Sequence, residues 1–288
     1  MTNRADTLQD YRQRIGRVLD YIRQNQSEPM RLRELAGVAC FSQFHFHRIF
    51  SAHAGETLSE YIRRLRLENA AQRLCRTTDA VTDIALDAGY STHGAFTKAF
   101  TQHFGQSPTA FRKTGQWIQT PGELLTATRQ KERVMKVEIR EIPEQAALAV
   151  RKTGAYSKAA DEAWKILCSY AGPKGLLGPG TKFIGISHDD PDHVAADKLR
   201  YDACITLTRD DPGRGEVKKI SLGGGRYAVT VHKGPFEKLK ATYDGLFGDW
   251  LPSSGEKLRD ADCLEIYLND PDRTPPEDLR TEICVPLE

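Results

Sequence analysis

The sequence predicts an α + (α+β) chain, in which an N-terminal all-α domain of two helix-turn-helix units is joined to a C-terminal duplicated ββαββ antiparallel-sheet domain. Three observations predict it. Apolar residues recur with helical spacing up to about residue 113 and with the shorter period of strands from about 136. Each half repeats itself, the first with an offset of 49 to 50 residues and the second with a constant offset of 80. Between them, residues 114–134 lack clean periodicity and carry Pro121 and Gly122, which marks a linker.

The 288 residues, 39% hydrophobic and 28% charged, have the composition of a globular protein with room for two domains. No apolar run approaches the roughly 20 residues of a membrane span. The opening MTNRADTLQD lacks the order of a secretory signal. A cytoplasmic address and no membrane partner are therefore expected. The six cysteines include no C-x-x-C and sit in apolar segments, which predicts reduced, buried thiols. No phosphate loop, Ser-His-Asp set or metal-ligand spacing is present, so no cofactor is expected. Residues 1–113 carry 16 Lys and Arg against 11 Asp and Glu, a charge of +5; the remainder carries 25 against 28, or −3. The basic half suits a polyanion.

Within domain 1–113, Leu35-Ala36, Cys40-Phe41-Ser42, Phe46, Arg48, Phe50 and Gly55 are matched by Ile84-Ala85, Gly89-Tyr90-Ser91, Phe96, Lys98, Phe100 and Gly105. The units span 32–55 and 81–105. Each reads as a helix, a short turn, and a second helix capped by Ser42 or Thr92 and stopped by glycine. Phe46, Ile49, Phe50 and His53 form the core stripe of one second helix, and Phe96, Ala99, Phe100 and His103 that of the other. Gln43, Phe44, His47 and Arg48, and in the second copy Thr92, His93, Gly94, Thr97 and Lys98, are left on or beside the outward face. Thr57 and Glu60 form a capping box that opens a connecting helix over 57–74, with Leu58, Tyr61, Ile62, Leu65 and Leu74 inward. That strut, roughly 27 Å long, suits two recognition helices about 34 Å apart in successive major grooves.

The stretch FSQFHFHRIFSAHAG admits three readings. A metal site is disfavoured because His45 and His47 point to different sides of the helix. A core accounts for Phe46 and Phe50 only. A groove-facing surface accounts for Phe44, His47 and Arg48, since Arg and Gln read base edges and aromatics touch thymine methyls.

On LRELAGVACFSQFHFHRIFSAHAGETLSEYIRRLRLENAAQRL and VTDIALDAGYSTHGAFTKAFTQHFGQSPTAFRK, the chain resembles the AraC/XylS family over residues 8–113. The resemblance implies binding to double-stranded promoter DNA. It places Ser42, Gln43, Phe44, His47 and Arg48 of the first unit, and Thr92, His93, Thr97 and Lys98 of the second, at base-reading or phosphate positions. Arg31, Arg63, Arg64, Arg66, Arg112 and Lys113 are further phosphate candidates. Gly94 departs from the long polar residue common in the family, which implies that the second unit acts mainly on the backbone.

In domain 135–288, Ile184-Gly185-Ile186 and Asp190-Pro191 match Leu264-Glu265-Ile266 and Asp270-Pro271, and Gly154 and Tyr156 match Gly234 and Phe236. The strands are expected over 136–142, 146–152, 181–188 and 199–207, then 217–222, 226–232, 262–269 and 279–287, with helices over 157–171 and 237–251. Alternation on the strand Cys263 to Tyr267 predicts Leu264 and Ile266 toward the helices and Glu265 and Tyr267 on the opposite, open face. The repeat partners of that pair, Gly185 and Ser187, are small, so one wall is emptied while the other carries an acid beside an aromatic. Such a place suits a cation. Tyr201, Tyr227 and Trp164 read as core in preference to ligand contacts. The stretch HDDPDH, 188–193, reads as an acidic turn in preference to a metal site.

On VTVHKGPFEKL, LEIYLNDP and TEICVPL, this half resembles the GyrI-like effector-binding family over residues 136–288. The resemblance implies a ligand pocket at Glu265 with nearby aromatics. Its candidate lining is Tyr267, Trp164, Phe183, Tyr227 and His232, and its effector a cationic or amphiphilic small molecule. Together the two resemblances imply a transcription activator that is not an enzyme and that contacts RNA polymerase. Two alternatives stay open: hydrolysis of an electrophile by Glu265 and Tyr267, and a C-terminal half that docks a protein partner.

Overall fold

The computed structural model describes residues 4–26, 30–42, 45–114, 135–189, 191 and 194–288. The expected linker therefore lies, apart from Thr114, outside the described residues, as do Gln43 and Phe44. Helix α1 (Arg4–Gln24) precedes the first unit, α2 (Leu32–Ala39) and α3 (Phe46–Ala54); α4 (Leu58–Arg76) leads to the second, α5 (Val81–Asp87) and α6 (His93–Phe104), and α7 (Pro108–Thr114) follows. The capping box on α4 forms: the Thr57 hydroxyl accepts from the Glu60 N–H at 3.2 Å, and the Thr57 N–H donates to Glu60 at 2.9 Å. Gly55 and Gly105 end α3 and α6 in the left-handed region at φ 74° and 72°.

The two units bury separate cores. Leu67, Ala70, Ala71 and Leu74 of α4 pack with Ile84, Ala85, Phe96, Phe100 and Phe111. Ile62 and Leu65, expected inward, are half-buried, because the inner face of α4 turns as it passes from one unit to the other. The first unit shares its core with the C-terminal half. Tyr11, Ile15, Val18 and Ile22 of α1 and Phe46, Ile49 and Phe50 of α3 join Tyr243, Leu246, Phe247, Leu251 and Ile283.

The turn of the first unit holds a local conflict. Cys40 ends α2 at φ 53°, ψ 41°, where its counterpart Gly89 has φ 81°. A side chain in that region is strained, and the Cys40 side chain is exposed rather than buried as expected. Cys40→Gly is expected to raise stability by about 0.5–1 kcal/mol, part of the relieved strain being offset by unfolded-chain entropy, as an increased denaturation midpoint at constant m-value.

The C-terminal half carries β1 (Glu138–Glu141), β2 (Gln145–Thr153), α8 (Tyr156–Ala171), β3 (Phe183–Ser187) and β4 (Arg200–Thr206). A short β5 (Gly213–Arg214) follows, then β6 (Val217–Leu222), β7 (Arg226–Lys233), α9 (Leu239–Gly245), a π-helical turn (Leu246–Trp250), α10 (Leu251–Ser254), β8 (Leu264–Tyr267) and β9 (Arg280–Pro286). All nine strands form one antiparallel sheet in the order β1-β7-β9-β8-β3-β4-β2-β6-β5. Each repeat lends its first strand to the other, β1 pairing with β7 and β6 with β2. The repeats meet at β3 and β8, where Gly185 stands opposite Glu265. Those residues are equivalent under the 80-residue offset, so the pseudo-twofold axis runs through this pair.

The expected facing of β8 is reversed. Leu264 and Ile266 join Ile184, Ile186, Cys204, Val229 and Cys284 in a cluster that, among the described residues, contains none from a helix. Glu265 and Tyr267 face the helices. Alternation says which residues share a face; here both faces are apolar, so it does not say which one the helices cover.

Near the end of β3, the His188 ring is held between Asp202 at 2.9 Å and Asp262 at 3.2 Å, and Arg151 reaches Asp202 at 2.6 Å. Burial alone would lower the His188 pKa, but hydrogen bonds donated by the ring to both carboxylates, and their charges, outweigh it and raise it to about 9. Burial likewise disfavours the Asp202 charge, and Arg151 and His188 overcome this, bringing it to about 2. A raised histidine pKa contributes stability that is complete below the unfolded value of 6.5 and is lost as pH rises through about 9. His188→Gln is therefore expected to cost about 2 kcal/mol near pH 6 and progressively less toward pH 9.5, read by urea unfolding of both proteins across that range. A cost that grows with pH would contradict the charged network. Asp190, Asp192 and His193 of the same turn lie outside the described residues, and no metal-holding cluster is found among the described ones. No described helix is long and apolar enough to cross a membrane.

Candidate functional site

Glu265 sits mid-sheet on the pseudo-twofold axis, 6% exposed. Its Oε1 accepts from the Tyr243 hydroxyl at 3.0 Å, and its Oε2 lies 3.5 Å from the Tyr267 hydroxyl. The Tyr267 and Tyr201 hydroxyls are 2.9 Å apart, and the Trp164 indole N–H donates to Tyr201 at 3.1 Å. Trp164 stands edge-on to Tyr267 at 5.9 Å and tilted on Phe183 at 5.8 Å; Phe236 meets Tyr267 at 5.3 Å. Gly185 makes this convergence possible, since a Cβ there would lie 2.6 Å from the Tyr201 hydroxyl. The wall that the sequence reads as emptied is thus filled by two tyrosine hydroxyls. Burial raises the Glu265 pKa, opposed by the Arg48 charge and by the Tyr243 and Tyr267 hydroxyls.

The group opposite the carboxylate comes from the first helix-turn-helix unit. The Arg48 guanidinium lies over the Tyr243 ring, 3.8 Å from its centroid, and is enclosed there although its stem is partly exposed. The rest of the N-terminal turn of α3 is fastened beside it. The Ser42 hydroxyl donates to Asp260. His45 Nε2 is 3.2 Å from the Arg259 carbonyl, its Nδ1 is 3.8 Å from the Cys263 sulfur, and its ring stacks on Phe247 at 5.8 Å. Burial, helped by the Arg48 charge, lowers the His45 pKa to about 4, so the ring is neutral at physiological pH. Farther along α3, Ala52 meets the π-helical turn where Gly248 leaves room; a Cβ on Gly248 would lie 3.0 Å from that of Ala52.

Several expected DNA-facing residues are thus placed elsewhere. His47 is buried and Arg48 is engaged with the C-terminal half. The Ser42 hydroxyl donates to Asp260, and His45 stands at the N-cap position of α3. Arg112 binds the carbonyls of Leu74 at 3.3 Å and Asp79 at 2.6 Å, tying α7 to the end of α4. Arg31 is exposed at the start of α2. The second unit is open: Thr92 caps α6 through the Ala95 N–H at 3.2 Å, His93 and Lys98 are exposed, Thr97 is half-buried, and a side chain at Gly94 would meet nothing.

Of the expected ligand residues, Trp164, Phe183 and Tyr267 converge around Glu265. Tyr227 does not; it lies on the helix-free face, with Arg259 5.2 Å from its ring. His232 is on the helix side, but both ring nitrogens are occupied, by Thr242 at 2.8 Å and the Pro235 carbonyl at 3.2 Å. Tyr243, Phe236 and Arg48 were not read as part of this site. Tyr243 carried a signal: its repeat counterpart is Ala163, the same large-for-small asymmetry that singles out Glu265.

Residues 135–288 match the GyrI-like small molecule binding domain family, and residues 35–114 match a helix-turn-helix domain family. Over 105 residues the chain is 38% identical to the probable transcriptional regulator YgiV of Escherichia coli, covering 36% of this chain and 66% of that one, a little under two thirds. Over 95 residues it is 37% identical to the probable transcription factor PqrA of Proteus vulgaris, 33% of this chain and 78% of that one. The right origin-binding protein of Escherichia coli is 21% identical over 285 residues, 94% of this chain and 96% of that one.

Proposed function

Because the chain belongs to the GyrI-like small-molecule-binding family and carries an AraC-type helix-turn-helix region ahead of that domain, we propose that it is a DNA-binding transcription regulator controlled by a cationic small molecule bound at Glu265. The observation that carries the ligand class is a buried carboxylate ringed by Tyr243, Tyr267 and Trp164, with the Arg48 guanidinium lying over the Tyr243 ring. A buried carboxylate selects a positive partner because no water replaces the missing charge, and aromatic faces favour a cation that has shed its hydration. Binding to promoter DNA is supported by the basic first half and by the exposed α6. Activation through RNA polymerase, in the cytoplasm, is carried by the AraC/XylS likeness; transcription in vitro with and without effector tests its sign.

We infer a binder in preference to a hydrolase. A nucleophilic or basic Glu265 needs a free lone pair aimed at substrate, and here the Tyr243 and Tyr267 hydroxyls are directed at its two oxygens. Styrene oxide incubated with the chain is expected to yield no diol above the buffer rate. The ligand reading is tested by calorimetry with tetraphenylphosphonium and its neutral analogue tetraphenylmethane carried in detergent: binding of the cation alone supports it, and equal binding of both removes it.

A further inference from the structure

We propose that Arg48 is the built-in occupant of the Glu265 site, that the site takes planar guanidinium- or amidinium-type cations on an apolar body, and that such ligands act by displacing Arg48 and releasing α3 to DNA. The proposal rests on the cation-binding reading of Glu265.

The structure places the Arg48 guanidinium over the ring of Tyr243, 3.8 Å from its centroid, and the Tyr243 hydroxyl binds the Glu265 carboxylate. A ligand with a planar, delocalised cation reproduces both contacts; a compact ammonium reproduces only the charge. A cation seated on the same face of Tyr243 takes the place of Arg48, so its binding requires Arg48 to leave. Arg48 in turn is anchored in α3, whose first turn is held by Ser42 on Asp260 and by His45 on the Arg259 carbonyl, and whose Ala52 packs on Gly248. While that seam is closed, His45 and Arg48 face the sheet domain and not a groove. Among the described residues the second unit shows no such seam: His93 and Lys98 are exposed in the same structure. A ligand shifts a conformational equilibrium only by its different affinity for two states. Here the states are Arg48 seated with α3 docked, and Arg48 withdrawn with α3 free.

The test uses the full chain with Ala52→Cys and Gly248→Cys. Their Cβ atoms would stand 3.0 Å apart, so a small outward shift brings them to the roughly 3.5–4.5 Å of a disulfide; oxidation then locks α3 onto the sheet domain and reduction releases it. Calorimetry with phenylguanidine, and with phenylurea as its neutral isostere, is run on both forms; affinity for a random-sequence 30-base-pair duplex at low salt is measured with and without phenylguanidine. The expected result is weaker phenylguanidine binding by the oxidised form, by roughly 5- to 150-fold, no binding of phenylurea, and a duplex affinity that phenylguanidine raises in the reduced form only. Arg48→Met, which removes the internal competitor, is expected to bind phenylguanidine more tightly than the parent chain. Equal phenylguanidine affinity in locked and unlocked forms overturns the displacement while leaving the Glu265 site standing. Phenylguanidine binding that survives Glu265→Gln overturns both readings. Binding of tetraphenylphosphonium without any binding of phenylguanidine overturns the ligand class alone.

Discussion

Glu265→Gln is expected to weaken binding of tetraphenylphosphonium by roughly 30- to several thousand-fold, the 2–5 kcal/mol that follows from removing one member of a buried charge pair, while leaving the fold in place. Glutamine keeps the volume and still accepts from Tyr243, so the loss reports the charge and not the packing. The same substitution removes the attraction that seats Arg48, and the guanidinium is then buried without its counter-charge, a costly arrangement. The thermal midpoint without ligand is therefore expected to fall, and the cation-induced rise in midpoint to vanish. A variant that still gains stability from the cation would show that the carboxylate is not the recognition element.

DNA affinity of the ligand-free chain is expected to fall by about 40- to 150-fold between 50 and 200 mM salt, the effect of three to four phosphate contacts at a slope near −0.9 each. The number follows from which cations are available. Arg64 is held by Glu56 at 2.6 Å and Glu68 at 3.0 Å, Arg66 by the Gln26 carbonyl at 3.2 Å, and Arg112 by Leu74 and Asp79. Arg31, Arg63, Lys98 and Lys113 are exposed. Lys98→Ala is expected to reduce the slope by about one, read from log affinity against log salt. An affinity independent of salt would exclude a phosphate-based interface.

Much of the architecture was legible in the residues, and the reasons differ by element. The 49-residue and 80-residue repeats announce both duplications because repeated units must bury the same faces, and the Thr57–Glu60 box marks the start of α4 by local chemistry alone. The Glu265 site was legible as an asymmetry between repeats, a property of sequence. Its orientation was not, because Leu264 and Ile266 satisfy either face of a sheet that is apolar on both sides. The seat of Arg48 was not legible for a related reason: helical periodicity identifies an outward position, but that it meets another part of the same chain is decided by a contact with Tyr243, 195 residues away, which no local pattern encodes.

The exchange of β1 and β6 between the two repeats makes them interdependent in assembly. Either 80-residue repeat taken alone leaves strand edges exposed, and an unpaired edge is a template for another chain. The complementary edge belongs to the other repeat, or to a second copy of the same one arranged about a true twofold axis. Such a symmetric pair would place two identical residues at the centre of the sheet, two glycines or two glutamates. Fusing the repeats into one chain is what allows a single negative charge to stand on the axis beside an empty Cβ position, without a twin to repel it.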